Sequence, residues 1–465
     1  MSKHPTKVKR PAYRNPTRVA TFKCLVVGLL FCLSHVSQVY ASDTTNTFSY
    51  KLDNGLKLIV REDTRAPTVV TQVWYGVGGS DEPNGLTGIS HALEHMMFKG
   101  TPQYPDKTLA RLVAVHGGIL NAFTANDFTA YYEEVGTQSL DLCLGLEADR
   151  MVNLSLYPKD FEPELKVVME ERRMRYDDNP EMLALERLYA AAYISNPYHH
   201  LTIGWVGDIQ GLTVDDLRNW YKTWYGPNNA VVVIVGDVKA DDVFAMVKKH
   251  FGALQPISLP TRKARIEIAP LGKRQVQVNA KASVPRTFMA YNVPSLTTAT
   301  DPQEPYALMV LSMALSQGQS ARLSQNLERK QGLATNMEAS YDPFSKYESL
   351  FTFSAVPMAS HTLAEVEAGF LNEVTDLQKN LLSEEALNRI KTNAVAQQVF
   401  KQDSMSDQAI EIGALETVGL SWQIAEAFPQ RIQAVSAEAV RAVAQKYLRD
   451  DRLTVAELIP LPSGK

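Results

Sequence analysis

Apolar residues recur along this chain at two spacings, and the change from one to the other marks out its elements. From residue 46 to 76 the spacing is that of strands. SYKLDNGLKLIVRED reads as a hairpin around the Asp53-Asn54-Gly55 turn, and TVVTQVWYGVG as a further β-rich run ending in glycines. The spacing then becomes helical. Ile89, Ala92, Leu93, Met96 and Met97 follow the i, i+3, i+4, i+7, i+8 pattern of one apolar face, which predicts a helix over residues 88–99 with Thr87 as N-cap and Gly100 as C′ residue. Residues 109–115 are helical in pattern and are broken by His116-Gly117-Gly118. Two strand-like runs follow, 119–125 and 128–135, separated by the turn pair Asn126-Asp127. Helical periodicity resumes over 136–155, stops at Tyr157-Pro158-Lys159-Asp160, and returns in PELKVVMEERRMRYDD with Asp160 as its cap.

One unit occurs twice. TVDDLRNWYKTWYGPNNAVVVIVGD begins at Thr213 and SAEAVRAVAQKYLRDDRLTVAELIP at Ser436, an offset of 223; each is a capped amphipathic helix, a polar turn and a β-rich strand. Duplication of a domain leaves this trace, and 465 residues exceed what a single hydrophobic core usually serves. The expected division is a first domain over 46–254, a Pro-containing linker over 255–271 and a second domain over 272–465.

Charge changes the picture at the N-terminus. Residues 1–41 hold no acid and carry Lys3, Lys7, Lys9, Arg10, Arg14, Arg18 and Lys23, followed by the apolar run from Cys24 to Leu33 and the A-x-A-like Val39-Tyr40-Ala41. This reads as an export signal cut after Ala41, since ten apolar residues are short for a membrane span. The expected location is outside the cytoplasm, periplasmic in a Gram-negative cell, with membrane anchoring if the leader stays. Loss of those seven charges takes the formal net charge from −4 to −11. So acidic a chain is poorly suited to nucleic acid or an anionic membrane. Cys143 is then the sole remaining cysteine, so no internal disulfide forms and the fold rests on its cores.

The candidate chemistry lies in the 88–99 helix. Four residues make one turn, so His91 and His95 present two imidazoles to one point, opposite the apolar face, and Glu94 projects from the same sector. Two imidazoles chelate a metal, and a carboxylate beside them can hold a bound water as general base. H-x-x-E-H is the inverted zinc-peptidase order. A third ligand is needed. On the later helix Glu164 and Glu171 are seven apart, flanked by Val167 and Val168, and so fall in a stripe that ought to face inward. Buried carboxylates need a partner or a metal, so one of these two is the candidate. A salt-bridged exposed helix is the alternative, because Glu170, Arg172, Arg173 and Arg175 lie there too. The pair His199-His200 could bind metal or substrate but reads first as structural, and His116, His250 and His361 have no partner at ligand spacing.

These residues resemble the zinc metallopeptidase family of pitrilysin, insulin-degrading enzyme and mitochondrial processing peptidase. The resemblance takes in GSDEPNGLTGIS, HALEH, MFKGT, GGILNAFTANDFTAYYEEV, ELKVVMEERRMR, PYHHLTIGW and WYGPNNAVVVIVGDV, nearly all of residues 46–240. It implies an α+β fold of two homologous domains, each an antiparallel β-sheet flanked by α-helices. It implies one zinc ion per chain held by His91, His95 and Glu171, with Glu94 catalytic and Glu164 supporting. It also implies that Asn121, Ala122, Phe123 and Thr124 form the edge strand to which an unfolded peptide adds. Members of this length work in pairs that enclose a chamber. Many carry an Arg and a Tyr seven apart in the second domain that bind substrate; Glu328 and Thr335 stand at those positions here. The expectation is a zinc endopeptidase that is the metal-bearing half of a heterodimer, with a homologous subunit supplying Arg and Tyr, and otherwise a homodimer. The alternatives are a non-catalytic assembly subunit of the same fold and a processing peptidase for one precursor.

Overall fold

The structure, a computed structural model, describes residues 46–462; the expected leader lies outside the described residues. Strands β1 (Thr47–Lys51), β2 (Lys57–Glu62), β3 (Thr68–Tyr75), β4 (Ile119–Thr124), β5 (Thr129–Gly136) and β6 (Ala230–Gly236) form one sheet, in the order β1-β2-β6-β3-β5-β4. Strands β7 (Arg274–Ala280), β8 (Arg286–Val293), β9 (Ala334–Tyr341), β10 (Ser349–Pro357) and β11 (Leu453–Pro460) form a second, in the order β7-β11-β8-β10-β9. Neighbours are antiparallel except for one parallel pair in each sheet, β2 with β6 and β7 with β11. With β1 set aside the two orders coincide, and the parallel pair falls at the same place in both.

The repeated unit explains that coincidence. The helices Val214–Trp224 and Ala437–Tyr447 begin and end 223 residues apart, as do the starts of β6 and β11. Both helices open on a hydroxyl cap: Thr213 Oγ1 accepts from Asp216 N and Ser436 Oγ from Ala439 N. The chain is therefore two copies of one α+β arrangement.

Alternation along each strand sends successive side chains to opposite faces. On the first sheet Val60, Val69, Val73, Tyr75 and Tyr131 enter the main core with Ile89, Leu93 and Met96. The opposite face, Ile59, Val70, Trp74, Val233 and Val235, is covered by Ala409 and Ile412 of the helix Met405–Thr417, which comes from the other half of the chain. Gly413 allows that helix to lie flat on Trp74, since a Cβ there would sit 2.1 Å from the indole Cε2. The exchange is mutual. Ala184, Leu188 and Ala192 of the helix Pro180–Ala192 cover Phe288, Ala290, Ala456 and Leu458 of the second sheet. Residues 255–271 have no regular structure but are pinned: buried Glu267 accepts from the N–H groups of Ile194, Ser195 and Asn196. Among the described residues no helix is long and apolar enough to cross a membrane.

Two helix starts differ from the sequence reading. The His91 helix runs Ile89–Met96 and continues as a 3-10 turn Met97–Lys99, with Gly100 at φ +90 ending the run as expected. Its N-cap is Gly88, not Thr87. Gly88 has φ +90 and a Cβ would lie 2.5 Å from the Ile203 carbonyl, so only glycine fits. The capping is done at a distance by Glu82, whose carboxylate accepts from Gly88 N at 2.7 Å and Ser90 N at 2.8 Å. Thr87 instead donates to Asp208 Oδ2 and accepts from Trp205 N. The Glu171 helix opens at Pro158 with Tyr157 as N-cap, because proline at the first helical position lacks the N–H that would need a partner. Asp160 lies in the first turn rather than at the cap.

Candidate active site

His91 and His95 project from adjacent turns with ring centroids 4.7 Å apart. The helix Pro158–Arg172 crosses alongside and brings Glu171 to them: its Oε2 lies 3.3 Å from His95 Nε2 and 3.8 Å from His91 Nε2. One ligand atom from each of the three residues falls within 4.8 Å of the others, and no other metal-capable group of this kind occurs among the described residues. Two imidazole nitrogens and one carboxylate oxygen suit zinc, and three protein ligands leave a fourth position open, as in catalytic rather than structural zinc sites. The donor set fits the ion.

Alternating charges hold His95 and Glu171 in place. Glu164 Oε1 accepts a hydrogen bond from His95 Nδ1 at 2.8 Å, which turns Nε2 towards the centre. Lys99 pairs with Glu164, and Arg175 Nη1 lies 2.8 Å from Glu171 Oε1. Burial, reinforced by the neighbouring His95, pushes His91 down to about 4, so it is neutral with a lone pair to give. The hydrogen bond from His95 keeps Glu171 below the ordinary carboxylate range, so it is ionised. Burial alone would lower His95, but its bonds to Glu171 and Glu164 outweigh that and raise it.

Glu94 faces the same cleft and is raised by burial, against the pull of its bond to Thr124. Thr124 Oγ1 donates to Glu94 Oε2 at 2.5 Å, which ties the helix to β4. Strand β4 is the outer edge of its sheet and pairs only with β5. Asn121, Ala122, Phe123 and Thr124 line the cleft, whose volume is about 530 Å³, together with His91, Glu94, His95, Glu164 and Glu171.

The structure separates residues that sequence left together. Glu170 points away, exposed and paired with Arg173 at 2.6 Å. Glu164 and Glu171 face inward as their spacing suggests, yet of the flanking valines Val168 is buried and Val167 is 50% exposed. His199 and His200 bond to backbone carbonyls, and neither joins the metal group. Glu328 accepts from Ser324 Oγ and Thr335 lies in β9; neither lines the cleft. Sequence reasoning missed Lys99 and Arg175, although each stands four residues after a site residue, a spacing that places them on the same helix face. It also missed Glu82, which no local pattern announces.

Residues 57–204, which contain all five candidate site residues on helices, match the family model described as insulinase (peptidase family M16), and residues 211–394 match that described as peptidase M16 inactive domain. The chain is 31% identical over 373 residues to the zinc protease PqqE of Helicobacter pylori, covering 78% of this chain and 81% of that protein. It is 27% identical over 420 residues to a probable mitochondrial-processing peptidase subunit beta of Arabidopsis thaliana, covering 88% of this chain and 78% of the other. A solved structure of a protease from Helicobacter pylori superimposes with a TM-score of 0.83 at 29% identity, over 89% of this chain and 99% of that one.

Proposed function

This chain belongs to peptidase family M16, and from that premise we propose that it is a zinc-dependent endopeptidase acting on unfolded peptides. The observation that carries the reading is the convergence of His91, His95 and Glu171 with Glu94 beside them, hydrogen-bonded to Thr124 of the edge strand. Zinc held by His91, His95 and Glu171 supplies, when bound, an acidified water and a Lewis acid for the scissile carbonyl. The chain's own groups do the rest. A peptide adds to the free edge of β4 by main-chain hydrogen bonds, which grip backbone more than sequence. Glu94 accepts the proton of the attacking water and passes it to the leaving amine. Thr124 holds that carboxylate against the strand on which the peptide lies. Glu164 fixes the tautomer of His95.

With Glu328 and Thr335 where the family resemblance expects Arg and Tyr, we read the chain as the metal-bearing member of a pair. A homologous subunit then completes the chamber, and a homodimer is the simpler alternative. The acid-free, basic leader supports export. The reading of a non-catalytic subunit draws on the inactive-domain description of residues 211–394, but the five site residues all precede that segment. Metal analysis separates the two: one zinc per chain, removable by chelator, supports the enzyme, and a metal-free chain at neutral pH supports the scaffold. A peptide-cleavage assay with and without what co-purifies from the cell envelope tests the pairing, which full turnover by the purified chain alone would refute. Cleavage of mixed peptides, as against a single precursor, tells a general endopeptidase from a processing enzyme.

A further inference from the structure

The candidate site carries a guanidinium and a phenol that the proposed mechanism does not use. Arg175 meets Glu171 through the oxygen not shared with the imidazoles, and its side chain is 70% exposed. That is its one ion pair among the described residues, and a guanidinium has five N–H donors. Tyr176 lines the same cleft. Its ring packs with the cluster of Val168, Ile203 and Ile209, and its hydroxyl has no hydrogen-bond partner among the described residues.

The backbone explains why both border the cleft. After Arg172 the helix widens into a π turn, Arg173–Asp177, closed by Asp178 N donating to Arg173 O at 2.8 Å. In a regular α-helix a residue five beyond Glu171 would stand about 140° round the axis. A π turn carries residue i+5 back towards residue i, and such turns concentrate at functional sites. Arg175 and Tyr176 thus flank Glu171 together.

We propose that Arg175 and Tyr176 form a carboxylate-accepting subsite beside the candidate metal centre. The subsite selects peptides that present an acidic side chain or a free C-terminus within a residue or two of the bond to be cut. Of the two cations lining the cleft, Lys99 is committed to Glu164, and Arg175 keeps donors open. Glu171 takes the Nη1 donor of Arg175 and leaves the rest of its fork open, while Glu94 is met by Thr124 and Glu164 by His95 and Lys99. A planar fork of N–H groups matches a carboxylate, and the phenol adds a further donor.

The subsite rests on the peptidase reading for where the peptide lies, so its test is made independent of turnover. The Glu94→Gln chain is titrated with fluorescent peptides that differ only in Glu or Gln at successive positions, each with a free or an amidated C-terminus. Zinc content is measured alongside in every variant. The acidic form of at least one pair is expected to bind about tenfold tighter, as charge-assisted hydrogen bonds allow. Arg175→Gln should bring the pair level, Arg175→Lys should keep part of the preference, and Tyr176→Phe should lose about threefold. Preference that follows the interior Glu assigns the carboxylate to a side chain, and preference that follows the free terminus assigns it to the C-terminus; either supports the subsite. Equal binding of acid and amide throughout, or a preference that survives Arg175→Gln at unchanged zinc, overturns it. A wild-type chain without zinc or cleavage would instead defeat the peptidase reading, whatever the binding data show.

Discussion

At the scale of single residues, the site depends on each carboxylate having one task and neighbours that fix it. Glu94 is hydrogen-bonded to Thr124 and takes no part in the His91, His95 and Glu171 convergence. Glu94→Gln should therefore leave zinc bound while lowering turnover by about 10²-fold or more, the usual loss for a general base. Metal content measured with kcat decides this, and near wild-type turnover would remove Glu94 from its role. Thr124 makes a sharper test. Burial holds Glu94 above the ordinary carboxylate range, and the Thr124 hydroxyl pulls it back down. Glu94 works as a base only when ionised, so activity is lost as pH falls through its pKa. Thr124→Val removes the downward pull, and the acid limb of kcat/KM against pH should move to higher pH. An unmoved limb, or one displaced to lower pH, would show that the bond does not tune the base.

At the scale of elements, the His91 helix is short and is stabilised from outside itself. Its first N–H groups are satisfied by Glu82, six residues before Gly88, in a buried setting where water cannot take over. Glu82→Ala would leave two buried donors unmet, at about 1–3 kcal/mol each. The expected result is a lower Tm together with weaker zinc retention, because the imidazoles ride on this helix. Thermal unfolding with and without zinc checks it, and an unchanged Tm would mean that Thr87 or water supplies the cap after all. The extent of this element was legible: the apolar spacing gave the helix and Gly100 its end. Its cap was not, because the capping group is joined by the turn of the chain and not by the local pattern.

At the scale of the whole molecule, each half covers an open face of the other's sheet with one of its helices, so the two halves are not independent cores side by side. Gly413→Ala tests this directly. A Cβ there meets the Trp74 indole, and the helix Met405–Thr417 must lift from the first sheet. Overpacking of this kind costs about 1–3 kcal/mol, read as a lower Tm and a changed Trp74 fluorescence environment; full stability would show that the contact is looser than described. By itself the sequence determined the strands and helices around the site, the internal duplication, and the candidacy of His91, His95 and Glu94, because strand and helix periodicities and i, i+4 spacings are local facts. Periodicity paired Glu164 with Glu171 on one stripe and left the ligand open between them, and the family resemblance chose Glu171. Only the tertiary structure brought Glu171 Oε2 to both imidazoles, turned Glu164 to His95, aimed Glu170 outward and crossed the covering helices between halves. Those contacts join residues distant in the chain, and the packing that selects among them is invisible to any periodicity.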